Sequence, residues 1–158
     1  MEKTSTELRI EQSQNTLIQV LLANTSSAVS ISNILAEHSD NKILSGDEII
    51  CGLIYRLMVP MTDEEITKSM NTANDLMYGE SSEEEEEEEE EEDNNIIEDD
   101  SEELKSHRQV RMNSCNCEIC SKTRECVKNF NEYIPKDELG DKFKNSILHT
   151  CKQYNRYL

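Results

Sequence analysis

A run of ten glutamates, residues 83–92, sets the strongest limit on how this chain can fold. The surrounding stretch, residues 80–103, holds 17 acidic side chains and no basic one. These charges repel one another, and the stretch offers no apolar face to bury. We therefore expect a disordered polyacidic linker over residues 79–103, which divides the 158-residue chain into residues 1–78 and residues 104–158.

The net charge of −18 is distributed unevenly along the chain. Residues 1–79 carry −6, residues 80–103 carry −17, and residues 104–158 carry +5. A basic segment beside a polyacidic strip allows two interpretations besides that of a solvated spacer: the strip folds back and screens the basic face, or it repels nucleic acid from the whole molecule.

The N-terminal segment predicts a helical hairpin. Ser45 is a candidate N-cap for an apolar helix that ends at Pro60. Thr62 and Glu65 have capping-box spacing, and Gly79 suits the end of the second helix. We expect these two helices to pack antiparallel within a helical module over residues 1–78.

Three other expectations concern the same segment. Apolar residues upstream of residue 24 predict an earlier helix, with a break in the Ser- and Asn-rich stretch 24–33. Cys51 lies within an apolar run and is interpreted as a core residue. His38, in "AEHSD", is interpreted as a surface residue at a helix end.

The C-terminal segment contains a cysteine cluster with metal-ligand spacing. Cys115, Cys117 and Cys120 form the pattern C-x-C-x2-C, in which short loop spacing lets thiolates meet on one tetrahedral ion. A closed structural site needs four ligands. We expect structural Zn²⁺, because a small helical segment has too few apolar side chains to fold without support.

Helix geometry favours Cys151 as the fourth ligand. Pro135 marks a turn between two predicted helices, and Cys120 and Cys151 lie about equally far from it on opposite sides. Cys151 falls on the inward apolar stripe of the second helix, whereas His149 is turned about 200° away. The predicted ligands are therefore Cys115, Cys117, Cys120 and Cys151, in a metal-stapled helical hairpin over residues 104–158.

Other interpretations of the thiols stay open. His149 is a reserve ligand, and Cys126 is a further candidate although it falls on the apolar stripe of its helix. The cysteines can also be packed apolar side chains, disulfides, or ligands of an iron–sulfur cluster. A nucleophilic Cys117 or Cys120 would need a base, and no histidine lies close in sequence.

The resulting fold class is mainly α: an N-terminal helical hairpin module, a disordered acidic linker and a small C-terminal metal-stapled helical hairpin. The apolar stretch of residues 16–23 is too short to span a membrane and lacks the features of a leader peptide. We therefore expect an intracellular protein with no membrane partner. In that setting thiols stay reduced, and clustered cysteines more often bind metal than form disulfides.

The sequence "CNCEIC", followed by "NFNEYIPKDELGDKFKNSILHTC", resembles short, mostly uncharacterised proteins of giant nucleocytoplasmic DNA viruses. In that group a C-x-C-x2-C element precedes a two-helix tail, and the resemblance covers residues 115–158. The high Asn, Ile, Lys and Glu content is similar to their A·T-rich coding bias. The resemblance implies a viral or host-cell setting and assigns no residue a role.

The expected function is that of a non-enzymatic interaction or adaptor protein with a protein partner. The sequence shows no phosphate loop, nucleotide fingerprint or acid–base set that would indicate an enzyme. Two alternatives remain: a nucleic-acid-associated protein whose basic C-terminal module is masked by the polyglutamate tract, and an acidic binder of basic proteins. The oligomeric state is left open.

Overall fold

The computed structural model describes residues 2–79 and 106–158. The described chain is mainly α-helical, which confirms the predicted fold class. The predicted linker, residues 79–103, lies outside the described residues except for Gly79. In chain order the elements are α1 (Ser5–Glu37), α2 (Gly46–Met58), α3 (Asp63–Tyr78), β1 (Arg108–Gln109), α4 (Glu118–Asn129), a 3-10 turn (Phe130–Glu132), α5 (Glu138–Gln153) and β2 (Arg156–Tyr157).

The starts of the N-terminal helices follow their capping residues. Ser45 caps α2 and Thr62 caps α3, as predicted, and the Thr62 side chain accepts a hydrogen bond from the backbone N–H of Glu65. Thr4 caps α1 in the same way, with Glu7 returning a bond to the Thr4 backbone. The Thr4 and Thr62 side chains satisfy N–H groups that the first turn of a helix leaves unpaired, and at Ser45 the backbone N–H donates to the Glu48 carboxylate at 2.8 Å.

Helix α1 is continuous through residues 24–33, where a break was predicted. The reason is that the small polar side chains of this stretch pack against α2. Ser32 is fully buried, and its hydroxyl donates to the Ala28 carbonyl at 2.9 Å, so it needs no partner outside the helix. A Cβ at Gly52 of α2 would overlap the Ser32 hydroxyl and lie 2.6 Å from the Ala28 carbonyl oxygen. Serine and alanine here permit close helix packing.

One core joins the two segments that the acidic run separates in sequence. Helix α2 packs against α1 on one side and against α4 and α5 on the other, while α1 also covers α3. Helices α4 and α5 make few direct contacts with each other, because their apolar stripes both face α2. The buried apolar cluster comprises Ile31, Leu35, Ile50, Cys51, Ile54, Val110, Cys120, Cys126, Val127, Phe130, Ile147 and Cys151.

Asp47, at the start of α2, connects α2 to the C-terminal segment through charged hydrogen bonds. Its Oδ2 accepts from Arg108 Nη1 at 2.7 Å and from the Arg111 backbone N–H at 3.2 Å, and its Oδ1 lies 3.9 Å from Arg156 Nε. Arg108 and Arg156 stand opposite each other in the parallel pairing of β1 with β2. One buried carboxylate therefore fixes both short strands against α2.

Arg56 connects the three N-terminal helices. Its guanidinium donates to the Ser27 hydroxyl of α1 at 3.0 Å and to the Val59 carbonyl at 2.7 Å, and it lies 3.4 Å from the Glu65 carboxylate of α3. Because the Arg56 side chain is almost fully buried, these bonds compensate for part of its lost hydration, while its buried Nε has no hydrogen-bond partner among the described residues.

Helix α1 includes an 18-residue window long and apolar enough to cross a membrane, with 28% of that window buried within the fold. The same helix packs against α2 and α3, so core packing accounts for part of its apolar character.

We expect Gly52→Ala to lower the free energy of unfolding by about 1–3 kcal/mol, since the added methyl group must push α1 away from α2. Gly46→Ala is the matched control, because a Cβ there meets no atom within 4 Å. Urea unfolding followed by circular dichroism measures both. Equal stability of the two variants would contradict the close approach.

Asp47→Asn should lower the free energy of unfolding by about 2–4 kcal/mol, because it leaves two arginines without their buried counter-charge. Asp75→Asn, at an exposed site, should change it by less than about 0.5 kcal/mol. A loss at Asp47 no larger than at Asp75 would show that the ionic cluster does not hold the segments together.

Candidate metal centre

The loop before α4 gathers three cysteine sulfurs. Cys117 is the N-cap of α4, and its sulfur accepts from the backbone N–H of Cys120 at 3.5 Å. The Cys115 sulfur accepts in turn from the backbone N–H of Cys117 at 3.5 Å. The N-cap thiol accepts a hydrogen bond from a backbone N–H of the first turn, as a Ser or Asp side chain does in other helices. The start of the helix therefore also orients the sulfurs.

The fourth group is His38, at the C-terminal end of α1. Its Nδ1 lies 3.4 Å from the Cys115 sulfur, 3.3 Å from the Cys117 sulfur and 3.5 Å from the Cys120 sulfur. The four possible ligand atoms all lie within 4.8 Å of one another. The cluster therefore joins α1 to the loop that leads into α4.

These separations fit one tetrahedral ion. Bonds of about 2.3 Å to sulfur and about 2.0 Å to nitrogen, meeting at the tetrahedral angle, place nitrogen and sulfur about 3.5 Å apart. The observed distances from Nδ1 to the three sulfurs, 3.3–3.5 Å, agree with that value. Three cysteines and one histidine form a closed set, with no coordination position left for water.

Asn113 forms hydrogen bonds with two of the clustered cysteines and with α1. Its Nδ2 donates to the Cys120 sulfur at 3.3 Å and to the Leu35 carbonyl of α1 at 3.0 Å, and its Oδ1 accepts from the Cys115 backbone N–H at 3.2 Å. Arg124 holds the Asn113 carbonyl at 2.9 Å. Such outer contacts orient metal ligands and tune their basicity.

Cys117 and Cys120 differ in how readily they lose a proton. Hydrogen bonds, led by that from the Cys120 backbone, lower the pKa of Cys117 to about 6. Burial raises the pKa of Cys120 to about 11. A bound divalent cation supplies the charge that favours the thiolate form of both, and binding therefore releases protons.

The structure brings together three of the four sequence-predicted ligands and leaves Cys151 out. Cys151 is buried in the apolar core facing α2 and lies near Cys51, and burial raises its pKa. The prediction assumed that α4 and α5 pack directly on each other. Because α2 lies between their stripes, the inward position of Cys151 points to α2 rather than to the cysteine loop.

The reserve candidates also lie outside the cluster. His149 is exposed, as its position on the helix predicted, and Cys126 is buried in the stripe of α4. Cys51 is a core residue, as predicted, with 2% of its surface exposed. All six cysteines are free thiols in this structure, so none forms the disulfide that the sequence left open.

His38 is the member of the cluster that sequence reasoning missed. It is exposed and lies at a helix end, as expected, but its ring contacts the cysteine sulfurs across 77 residues of chain. Local spacing carries no signal for such a contact. The sequence offered two hints: the cysteine loop supplies only three of the four ligands of a tetrahedral site, and a histidine lies at the end of an apolar helix.

Comparisons of the chain with protein-family models, with curated proteins and with solved structures gave no match.

His38→Ala should weaken metal binding more than about 100-fold, since it removes one of four ligands. Titration with Co²⁺, followed by its visible absorption in tetrahedral thiolate sites, measures this on the full chain. His149→Ala is the matched control and should bind Co²⁺ normally.

Cys151→Ser should also bind Co²⁺ normally while lowering the free energy of unfolding by about 1–2 kcal/mol, as expected for a core position. Loss of binding in Cys151→Ser would restore the sequence-predicted ligand set.

Proposed function

We propose that His38, Cys115, Cys117 and Cys120 bind one structural Zn²⁺ in a non-enzymatic intracellular interaction protein. The observation that carries the proposal is the convergence of His38 Nδ1 on three sulfurs at 3.3–3.5 Å. The ligands come from both sides of the acidic segment. Zinc would therefore clamp the C-terminal segment onto the N-terminal helices.

Zinc suits this donor set better than other common ions. Thiolates and an imidazole in a tetrahedral arrangement match Zn²⁺, whereas Mg²⁺ and Ca²⁺ prefer carboxylate and carbonyl oxygen. The Cys3His set is one of the established structural zinc sets. An iron–sulfur cluster would need sulfurs spread around a larger body than a single ion, and these four ligand atoms lie within 4.8 Å.

The expected energetic contribution is large for this protein. Structural zinc sites bind with an apparent free energy of about 10–16 kcal/mol in small peptides. A domain of ordinary stability has only about 5–15 kcal/mol in total. If zinc binds the native state alone, its binding energy adds to the apolar burial and the Asp47 cluster that hold residues 106–158 against α1 and α2.

The closed coordination set is what supports a structural role over catalysis. Catalytic zinc keeps a position for water or substrate, and four protein ligands leave none. The Cys117–His38 contact also resembles a nucleophile with its base, because Cys117 has a lowered pKa. Two further sulfurs at the same distance from the same nitrogen favour metal ligation.

Such a fold presents rigid helical surfaces, and the proposed role is that of an adaptor that docks a protein partner. The resemblance to giant-virus proteins supports a host-cell setting for it. Nucleic-acid association of the basic C-terminal segment, and binding of basic proteins by the acidic tract, both stay predictions.

Removal of zinc from the full chain should lower the melting temperature by more than about 10 °C, since a loss of several kcal/mol shifts it by that much. The measurement is thermal unfolding by circular dichroism with and without a strong chelator, beside elemental analysis of the purified protein. We expect one zinc per chain. Restoring zinc should restore the original curve.

Cys117→Ser separates the structural role from a catalytic one. A structural site should lose zinc and thermal stability together, whereas a catalytic thiol could be replaced with the melting curve unchanged. A purified chain without metal, whose melting is insensitive to the chelator, would overturn the proposal.

A further inference from the structure

Helix α1 is longer than the core that covers it. Its 33 residues span about 50 Å at 1.5 Å per residue. The buried residues run from Ala23 to Ala36, and none of residues 5–22 is buried. We call residues 5–22 the arm. It is about 27 Å long.

The arm carries a coiled-coil seam. Ile10, Gln14, Leu17 and Leu21 follow spacings of four, three and four, and Ile10 and Leu17 are 53% and 49% exposed. The same alternation continues into the covered half of the helix at Asn24, Ala28, Ile31 and Leu35. The stripe that packs in the core is thus prolonged along the arm, where no described residue buries it.

An apolar groove lies at the base of the arm. Leu17 and Leu21 form one wall, and Leu139 and Phe143 of α5 form the other, around a volume of about 670 Å³. The rest of its lining is polar: Asp137, Glu138, Lys142 and Ser146. A helix with an apolar seam is the kind of element that such grooves accept.

We propose that the arm and the groove form a two-fold interface between two copies of this chain, with the arms antiparallel. A two-fold axis between Gln14 and Leu17 places Ile10 against Leu21 of the partner subunit. The N-terminal end of each arm then reaches the groove beside Phe143 of the partner subunit. Each surface that lacks a partner in one copy is covered by the other.

The seam itself supports a second copy as the occupant. Spacings of four, three and four read the same in both directions, so an antiparallel copy matches the seam position by position, as an isologous contact requires. No charged side chain occurs in residues 12–36, so the flanks of the seam from Gln12 to Leu21 demand no oppositely charged partner.

The area is adequate for a modest dimer. Half the curved surface of a helix about 10 Å wide and 27 Å long is about 400 Å² per arm, and the groove walls add to it. The total is then near the lower end of the 1,200–2,000 Å² found in specific interfaces. We therefore expect a dimer that forms at micromolar concentration.

A lipid bilayer is the alternative binding partner for the apolar side of the arm. The tip of the arm opposes insertion, because it carries charges at Glu7, Arg9 and Glu11. In the antiparallel pair these side chains lie at the ends of the interface, where water reaches them.

Analytical ultracentrifugation of the full zinc-loaded chain tests the proposal. The wild type should approach twice its 18.2 kDa mass as its concentration rises through the micromolar range. Leu17→Glu should weaken dimerisation at least 100-fold, while Gln12→Glu, which adds the same charge on the opposite face of the arm, should leave it unchanged. Circular dichroism and zinc content should match the wild type in both, since neither residue is buried.

Phe143→Ala tests the groove, and we expect it to weaken dimerisation about tenfold. A chain that stays monomeric, a dimer that Leu17→Glu does not weaken, or a dimer insensitive to Phe143→Ala would each overturn this arrangement. A monomer whose arm binds phosphatidylcholine vesicles would also overturn it and assign the arm to lipid.

Discussion

The burial of α2 is the constraint on which the rest of the structure depends. Helix α1 covers one side of its apolar surface, and α4 and α5 close the second side. The close contact at Gly52 sets how near α1 can come, and that spacing determines where the end of α1 lies relative to the start of α2. Both anchors of the C-terminal segment are found at that end of the pair.

The two anchors use different chemistry for the same purpose. At the start of α2, the Asp47 carboxylate collects Arg108 and Arg156. At the end of α1, His38 meets the cysteine loop, and Asn113 connects the loop to the Leu35 carbonyl. Between them Val110 is buried in the core. A short segment with almost no regular structure of its own is thus held at both ends by polar groups and in the middle by apolar burial.

The sequence predicts the structural features that depend on residues close together in the chain. Capping at Ser45 and Thr62 and the three-cysteine loop all depend on residues a few positions apart, and each is found as predicted. Features that depend on contacts between residues far apart in the sequence are not predicted. The break in α1 was predicted because the Ser- and Asn-rich stretch 24–33 lowers helix propensity, yet burial of residues such as Ser32 outweighs that preference. Cys151 was chosen on the assumption of a self-contained hairpin, and His38 could be found only with α1 in place.

The distance in sequence between His38 and its cysteine partners also orders the events of synthesis. Cys115 leaves the ribosome 77 residues after His38, about 4–15 seconds later at ordinary elongation rates. During that interval the first three helices exist without the residues that cover the far side of α2. A nascent chain therefore leaves one side of α2 uncovered until α4 and α5 have been made, and the four residues of the His38–cysteine cluster coexist only once Cys120 has been added.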